Sequence, residues 1–181
     1  MNHQDLVHEA ELRLNPLRAH HAASLTCRRG CSSCCTDITV LPVEWYAIEL
    51  AIGRDAFESR NDDPEKCPFV ARNGACGIYG VRPLICRIHG LPLSYPLEEY
   101  DNQGKRIMLD PPNRHVLWCD LNFLGVDKFE SDFSEDDVFD MVWFHRELEI
   151  LNDRFLRSEV GGTYGAGEVL SLRDQVNLRP L

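Results

Sequence analysis

The chain has 181 residues, 44% of them hydrophobic and 27% charged, with a formal net charge of −10. That length supports one domain with a core of its own, so any metal is an addition to a fold and not the whole of it. The acidic balance opposes phosphate backbones and anionic membranes, and no apolar run is long enough to span a bilayer, so neither nucleic acid nor membrane is an expected partner.

The opening Met1-Asn2-His3-Gln4-Asp5 is polar and acidic and lacks the apolar stretch of a secretory signal. The expected compartment is therefore the cytoplasm, where thiols stay reduced. Leu6, Val7, Ala10, Leu14 and Leu17 recur at helical spacing and predict a helix over 3–25, interrupted near Pro16. Residues 26–37 form a cysteine-dense turn. A second helix is predicted over 42–53, with Pro42 in its first turn, Gly53 at its end, and Trp45, Ile48, Ala51 and Ile52 on one face.

Residues 61–120 are irregular, with seven prolines and five glycines; short strands are expected near Ile78-Tyr79, Ile107–Leu109 and Val116–Trp118. So long a stretch without periodicity is unusual in a compact domain, and a metal site would explain its order. A long helix is predicted over 134–158. Ser134 is its expected N-cap, Glu135, Asp136 and Asp137 suit the positive end of its dipole, and Met141, Phe144, Leu148, Leu151 and Phe155 make one core-facing stripe. The run Gly161-Gly162-Thr163-Tyr164-Gly165-Ala166-Gly167 follows no clear strand, so it reads as a loop or tail and not as a phosphate loop. The fold class is thus mainly α with irregular cysteine-rich loops and room for a small β-hairpin. Residues 1–160 form a single metal-binding domain and 161–181 a glycine-rich C-terminal tail.

The eight cysteines are Cys27, Cys31, Cys34, Cys35, Cys67, Cys76, Cys86 and Cys119, four of them within nine residues. Thiolates spaced as in Cys27, Cys31 and Cys34 converge on one side of a coil or tight loop, whereas neighbours such as Cys34 and Cys35 point apart, so one of the pair is free for a second site. Soft sulfur donors select zinc or an iron–sulfur cluster. Arg28, Arg29, Arg82 and Arg87 each lie within four residues of a cysteine, where a guanidinium favours the thiolate. Cys86-Arg-Ile-His89 has the spacing of a zinc-knuckle arm, although a lone histidine is more often a surface residue. Buried free thiols, disulfides (105 pairings for eight cysteines) and a redox pair at Cys31-Ser-Ser-Cys34 are the competing readings. The spacing Cys27-x₃-Cys31-x₂-Cys34 also matches the radical S-adenosylmethionine loop, but the chain is short, shows no βα alternation, and has Ser33 where that loop usually has an aromatic residue.

Cys31-Ser-Ser-Cys34-Cys35, Cys67-Pro-Phe, Cys76-Gly-Ile-Tyr79 and Arg82-Pro83-Leu-Ile-Cys86-Arg87 together resemble the CxxCxxCC (YkgJ-type) cysteine-cluster family, over roughly residues 27–90. The resemblance implies a zinc- or iron-chelating domain. It further implies that all eight cysteines are metal ligands, with Cys119 as the last, and that Tyr79, Arg82 and Pro83 surround them. The first gap here is three residues, from Cys27 to Cys31, where the family name has two. Flagellin lysine methylases carry a related cysteine pattern in longer chains, so methyl transfer is not carried over. The expected function is a metal-binding protein with a structural or electron-transfer centre. The alternatives are a metal-dependent enzyme modifying protein side chains, with His89, His115 and Asp120 as acid–base candidates, or a module that docks an unidentified protein partner through its long helix.

Overall fold

The computed structural model describes residues 2–28, 30–53, 61–97, 99–100, 102–103, 106–107, 113–124, 132–165 and 169–177. Met1, Arg29, Leu109, Ala166 and Gly167, named above, lie outside the described residues. Five α-helices are present among those described: α1 (His3–His20), α2 (Pro42–Ile52), α3 (Leu84–Ile88), α4 (Met141–Leu156) and α5 (Leu172–Asn177). Short strands join them: β1 (Thr39–Val40), β2 (Leu93–Pro96), β3 (Glu99–Tyr100), β4 (Arg106–Ile107), β5 (Arg114–Leu117), β6 (Phe139–Asp140) and β7 (Leu170–Ser171). The protein is mainly α with small β elements, as the sequence predicts. No helix among the described residues is long and apolar enough to cross a membrane.

Helix α1 starts in a capping box: Asp5 N donates to Asn2 Oδ1 at 2.9 Å and Asn2 N donates to Asp5 Oδ2 at 2.8 Å. It runs through Pro16 without the expected interruption and stops at His20. Pro16 and Leu12, whose carbonyl loses its helical partner, are both on the exposed face. Helix α2 begins with Pro42 at its first turn, where a missing N–H costs nothing. The Val43 N–H that follows is satisfied from a distance, by Asn152 Oδ1 of α4 at 3.2 Å.

The long helix starts seven residues later than the sequence suggests. Ser134 stands before a 3₁₀ turn over Glu135–Asp137 and does not cap it with its side chain: Asp137 N donates to the Ser134 main-chain oxygen, and the Ser134 N–H and hydroxyl both donate to Asp137 Oδ2. The chain then extends through β6, and Asp140 caps α4, accepting from Val142 N at 2.8 Å and Trp143 N at 3.4 Å. The stripe is as expected: Met141, Phe144, Leu148 and Leu151 are buried.

Two cores result. One joins α1, α3 and α4 through Leu6, Leu14, Ile88, Met141 and Phe144. The other gathers Trp45 and Ile48 of α2, Phe69 and Ile78 of the middle segment, and Leu172 and Val176 of α5, with Cys67 at its edge. Strand β2, which shows no sequence signal, is the centre of a three-stranded sheet, antiparallel to β5 (Leu93↔Leu117) and parallel to β6 (Leu93↔Phe139). Strands β3 and β4 form a small hairpin, and β1 pairs with β7. Ile78-Tyr79 is not a strand: Tyr79–Val81 is a 3₁₀ turn leading into α3. Beyond α4 a 3₁₀ turn over Gly161–Tyr164 packs back on that helix, and β7 and α5 follow.

Candidate metal centre

All eight cysteines are free, and those of four parts of the chain bear on one another. The 27–35 loop supplies half of them. The turn over 67–76 is closed by the Val70↔Cys76 bridge and by Gly77 N donating to Phe69 O at 2.8 Å, which brings Cys67 and Cys76 side by side. Cys67 N donates to Cys35 O at 3.0 Å, which docks this turn on the first loop. The two segments nearly touch: a Cβ on Gly74 would stand 2.3 Å from Gly30 O.

Cys86 lies on α3, one short helix whose place is set by buried Glu44 of α2, which accepts Leu84 N through Oε1 at 2.8 Å. Cys119 arrives through Asn122. That buried side chain accepts Thr26 N at 2.8 Å and donates to Cys27 Sγ at 3.4 Å and to Gly90 O at 2.5 Å, while its own N–H closes a turn on Cys119 O at 2.8 Å. Gly90 has φ +98°, and a Cβ there would stand 2.7 Å from Cys27 Sγ, so the absence of a side chain is what admits the thiol.

The sulfurs influence one another in two sets. Cys27 is pushed up mainly by burial, pulled back by the Asn122 hydrogen bond, and raised again by Cys119, Cys31 and Cys34. Cys35 is held below the usual thiol value by the Cys34 hydrogen bond, against burial and the nearby Cys67, Cys86 and Cys76. Cys86 is pushed up to about 12 by burial, then by Cys67, Glu44, Cys76 and Cys34. Cys67 is raised by burial and by Cys76 and Asp37, and lowered by the Phe69 N–H and by Arg173. Two overlapping sets emerge, Cys27 with Cys31, Cys34 and Cys119, and Cys35 with Cys67, Cys76 and Cys86, and Cys34 bears on Cys86 as well. The two sets meet where Cys34 donates to Cys35, a bond that raises Cys34 to about 12.

Thiols crowded this way raise one another's pKa, an arrangement that a bound cation relieves. The donor chemistry, four sulfurs per set from separated segments, fits zinc or an iron–sulfur cluster. The expected arginine support differs. Arg87 commits its guanidinium to Glu11 (3.3 Å), Gly80 O (2.8 Å) and Arg82 O (3.2 Å), and Arg82 lies over the Tyr79 ring at 3.9 Å. Among the described residues, Arg173 in α5 bears on the Cys67 thiol, beyond the reach of any local spacing rule.

His89 hydrogen-bonds Cys34, so the Cys86-x₂-His89 arm is divided between the two sets. Of the other acid–base candidates, His115 packs against Tyr95 and Asp120 is exposed. Asn122 and Gly90 carry no chemistry of their own and were not signalled by the sequence.

Four sulfur-bearing segments folded around unpaired thiols define a cysteine-cluster domain. Residues 26–105 match the model of the CxxCxxCC family, whose description is "putative zinc- or iron-chelating domain". The match includes seven of the cysteines; Cys119 lies outside it and reaches the others through the Asn122 turn. No curated protein and no solved structure matches the chain.

Proposed function

We propose that this protein holds two adjacent iron–sulfur centres and passes electrons through them. Cys27, Cys31, Cys34 and Cys119 ligate one, and Cys35, Cys67, Cys76 and Cys86 the other. The observation that carries the reading is eight unpaired thiols, on four separate segments, that bear on one another in two overlapping groups of four. Four soft sulfur donors per group are the ligand set of an iron–sulfur cluster, and zinc is the second reading. A reducing compartment suits the free thiols, and the acidic surface suits a protein partner better than a nucleic acid.

Anaerobic purification followed by iron, zinc and acid-labile sulfide analysis tests the reading. Iron with sulfide and a visible absorption that bleaches on reduction is expected. Cys34→Ser and Cys35→Ser should each remove one centre and leave the other. A colourless protein with stoichiometric zinc would replace the iron assignment by a structural zinc one, and a metal-free folded protein would end both.

A further inference from the structure

Away from the sulfurs, a second group of metal-binding side chains meets at the end of α1. One ring nitrogen each from His20 and His21 and one carboxylate oxygen of Asp137 lie within 4.8 Å of one another. His20 is the last residue of α1 and His21 its C-cap; Asp137 belongs to the 3₁₀ turn that precedes β6.

The group is held by contacts that need no metal. His21 is 6% exposed, with its ring edge-on to Phe123 at 5.4 Å and Phe133 at 6.1 Å, and its Nε2 lies 2.7 Å from the main-chain oxygen of Asp137. Ser134 donates its N–H and its hydroxyl to Asp137 Oδ2 at 2.8 and 2.7 Å. Oδ1 is left facing His20 Nε2 at 2.8 Å. Two of the three groups are therefore fixed in place, which lowers the ordering cost of binding an ion. The C-terminal end of α1 adds the negative pole of its dipole. The His20 side chain is 62% exposed and leaves the outer side of the group to water.

We propose that His20, His21 and Asp137 bind a divalent transition ion, zinc in the first instance, in a three-residue site with a coordination position open to solvent. Two imidazoles and a carboxylate are a borderline donor set that takes zinc without any sulfur, and three protein ligands plus water is the arrangement of open zinc sites. The site is independent of the sulfur centres and stands whether those hold iron or zinc.

The test uses the protein with its native metal content measured beforehand, titrated with zinc chloride by calorimetry and followed by ¹⁵N shifts of the histidine rings. One further equivalent of zinc is expected, with the rings of His20 and His21 shifting together. His20→Ala and Asp137→Asn should each weaken that equivalent by about ten-fold or more. Both variants should fold, since His20 is exposed and asparagine keeps an acceptor for Ser134. The proposal is overturned if the protein takes up no further zinc, if the two rings do not shift, or if His20→Ala binds the ion as well as the parent.

Discussion

Asn122 donates its side-chain amide to the sulfur of Cys27 at 3.4 Å, across 95 positions of sequence. The same side chain accepts Thr26 N and donates to Gly90 O, so it ties the first cysteine, the end of the α3 segment and the Cys119 turn at one point.

Asn122→Ala leaves the Thr26 N–H and the Gly90 carbonyl buried without that partner, at a cost of about 2–3 kcal/mol. Chemical denaturation should read that loss. Metal release to a chelator should accelerate from the Cys27–Cys31–Cys34–Cys119 set and stay unchanged from the other.

Gly90→Ala places a methyl 2.7 Å from Cys27 Sγ on a backbone at φ +98°. Gly53→Ala is the control: φ is +76° there, but a Cβ would meet nothing within 4 Å. Both variants lose roughly 1–2 kcal/mol to the backbone. Only Gly90→Ala should also lose metal, which elemental analysis of the two purified variants will decide.

Arg173 of α5 donates to the carbonyls of Asn61 (3.1 Å), Asp63 (2.6 Å) and Lys66, the approach to Cys67. Arg173→Met keeps the stem and removes these bonds together with the positive charge that lowers the Cys67 thiol. The expected outcome is a loss of about 2 kcal/mol and slower metal loading of the apo-protein, with Arg173→Lys restoring part of the loading rate. Equal loading rates in all three would remove Arg173 from the site.

His3 carries the clearest pH dependence. Burial, then the positive charge of Arg87, lower its pKa to about 4 from 6.5. Its Nε2 is buried without a hydrogen-bond partner. Between those values the unfolded chain holds a proton that the folded chain refuses, so stability falls as pH drops from 6.5 toward 4. His3→Gln should flatten this slope by on the order of 1–2 kcal/mol between pH 7 and 5, read from urea midpoints at the two pH values.

Much of the helical frame was legible. Periodicity located α1 and the α4 stripe because each buries a single face, whereas α2 was found from Pro42 and Gly53: its first turn is buried all round, and Ala51, expected on the inner face, is exposed. The start of α4 was misread because Ser134 and its acidic neighbours open a 3₁₀ turn and not the helix, and the strand that follows is only two residues long. Strand β2 was invisible for a similar reason: four residues ending in Pro96 carry no alternation, and their partners lie about twenty and forty-five residues away. The sulfur chemistry could be read from spacing, whereas the division into sets could not. It depends on where α3 and the Cys119 turn land, and those are set by Glu44 and Asn122. His20, His21 and Asp137 were hidden differently, since residues separated by more than a hundred positions share no motif.

Cys34 and Cys35 share one peptide bond, with alpha carbons ~3.8 Å apart, and their side chains serve opposite halves of the cysteine assembly. Under the proposed assignment, whichever half captures its inorganic cargo first freezes the torsions of that dipeptide and hands the other half a ready-shaped cradle. The second filling is then easier than the first, although either half can still hold its cargo alone.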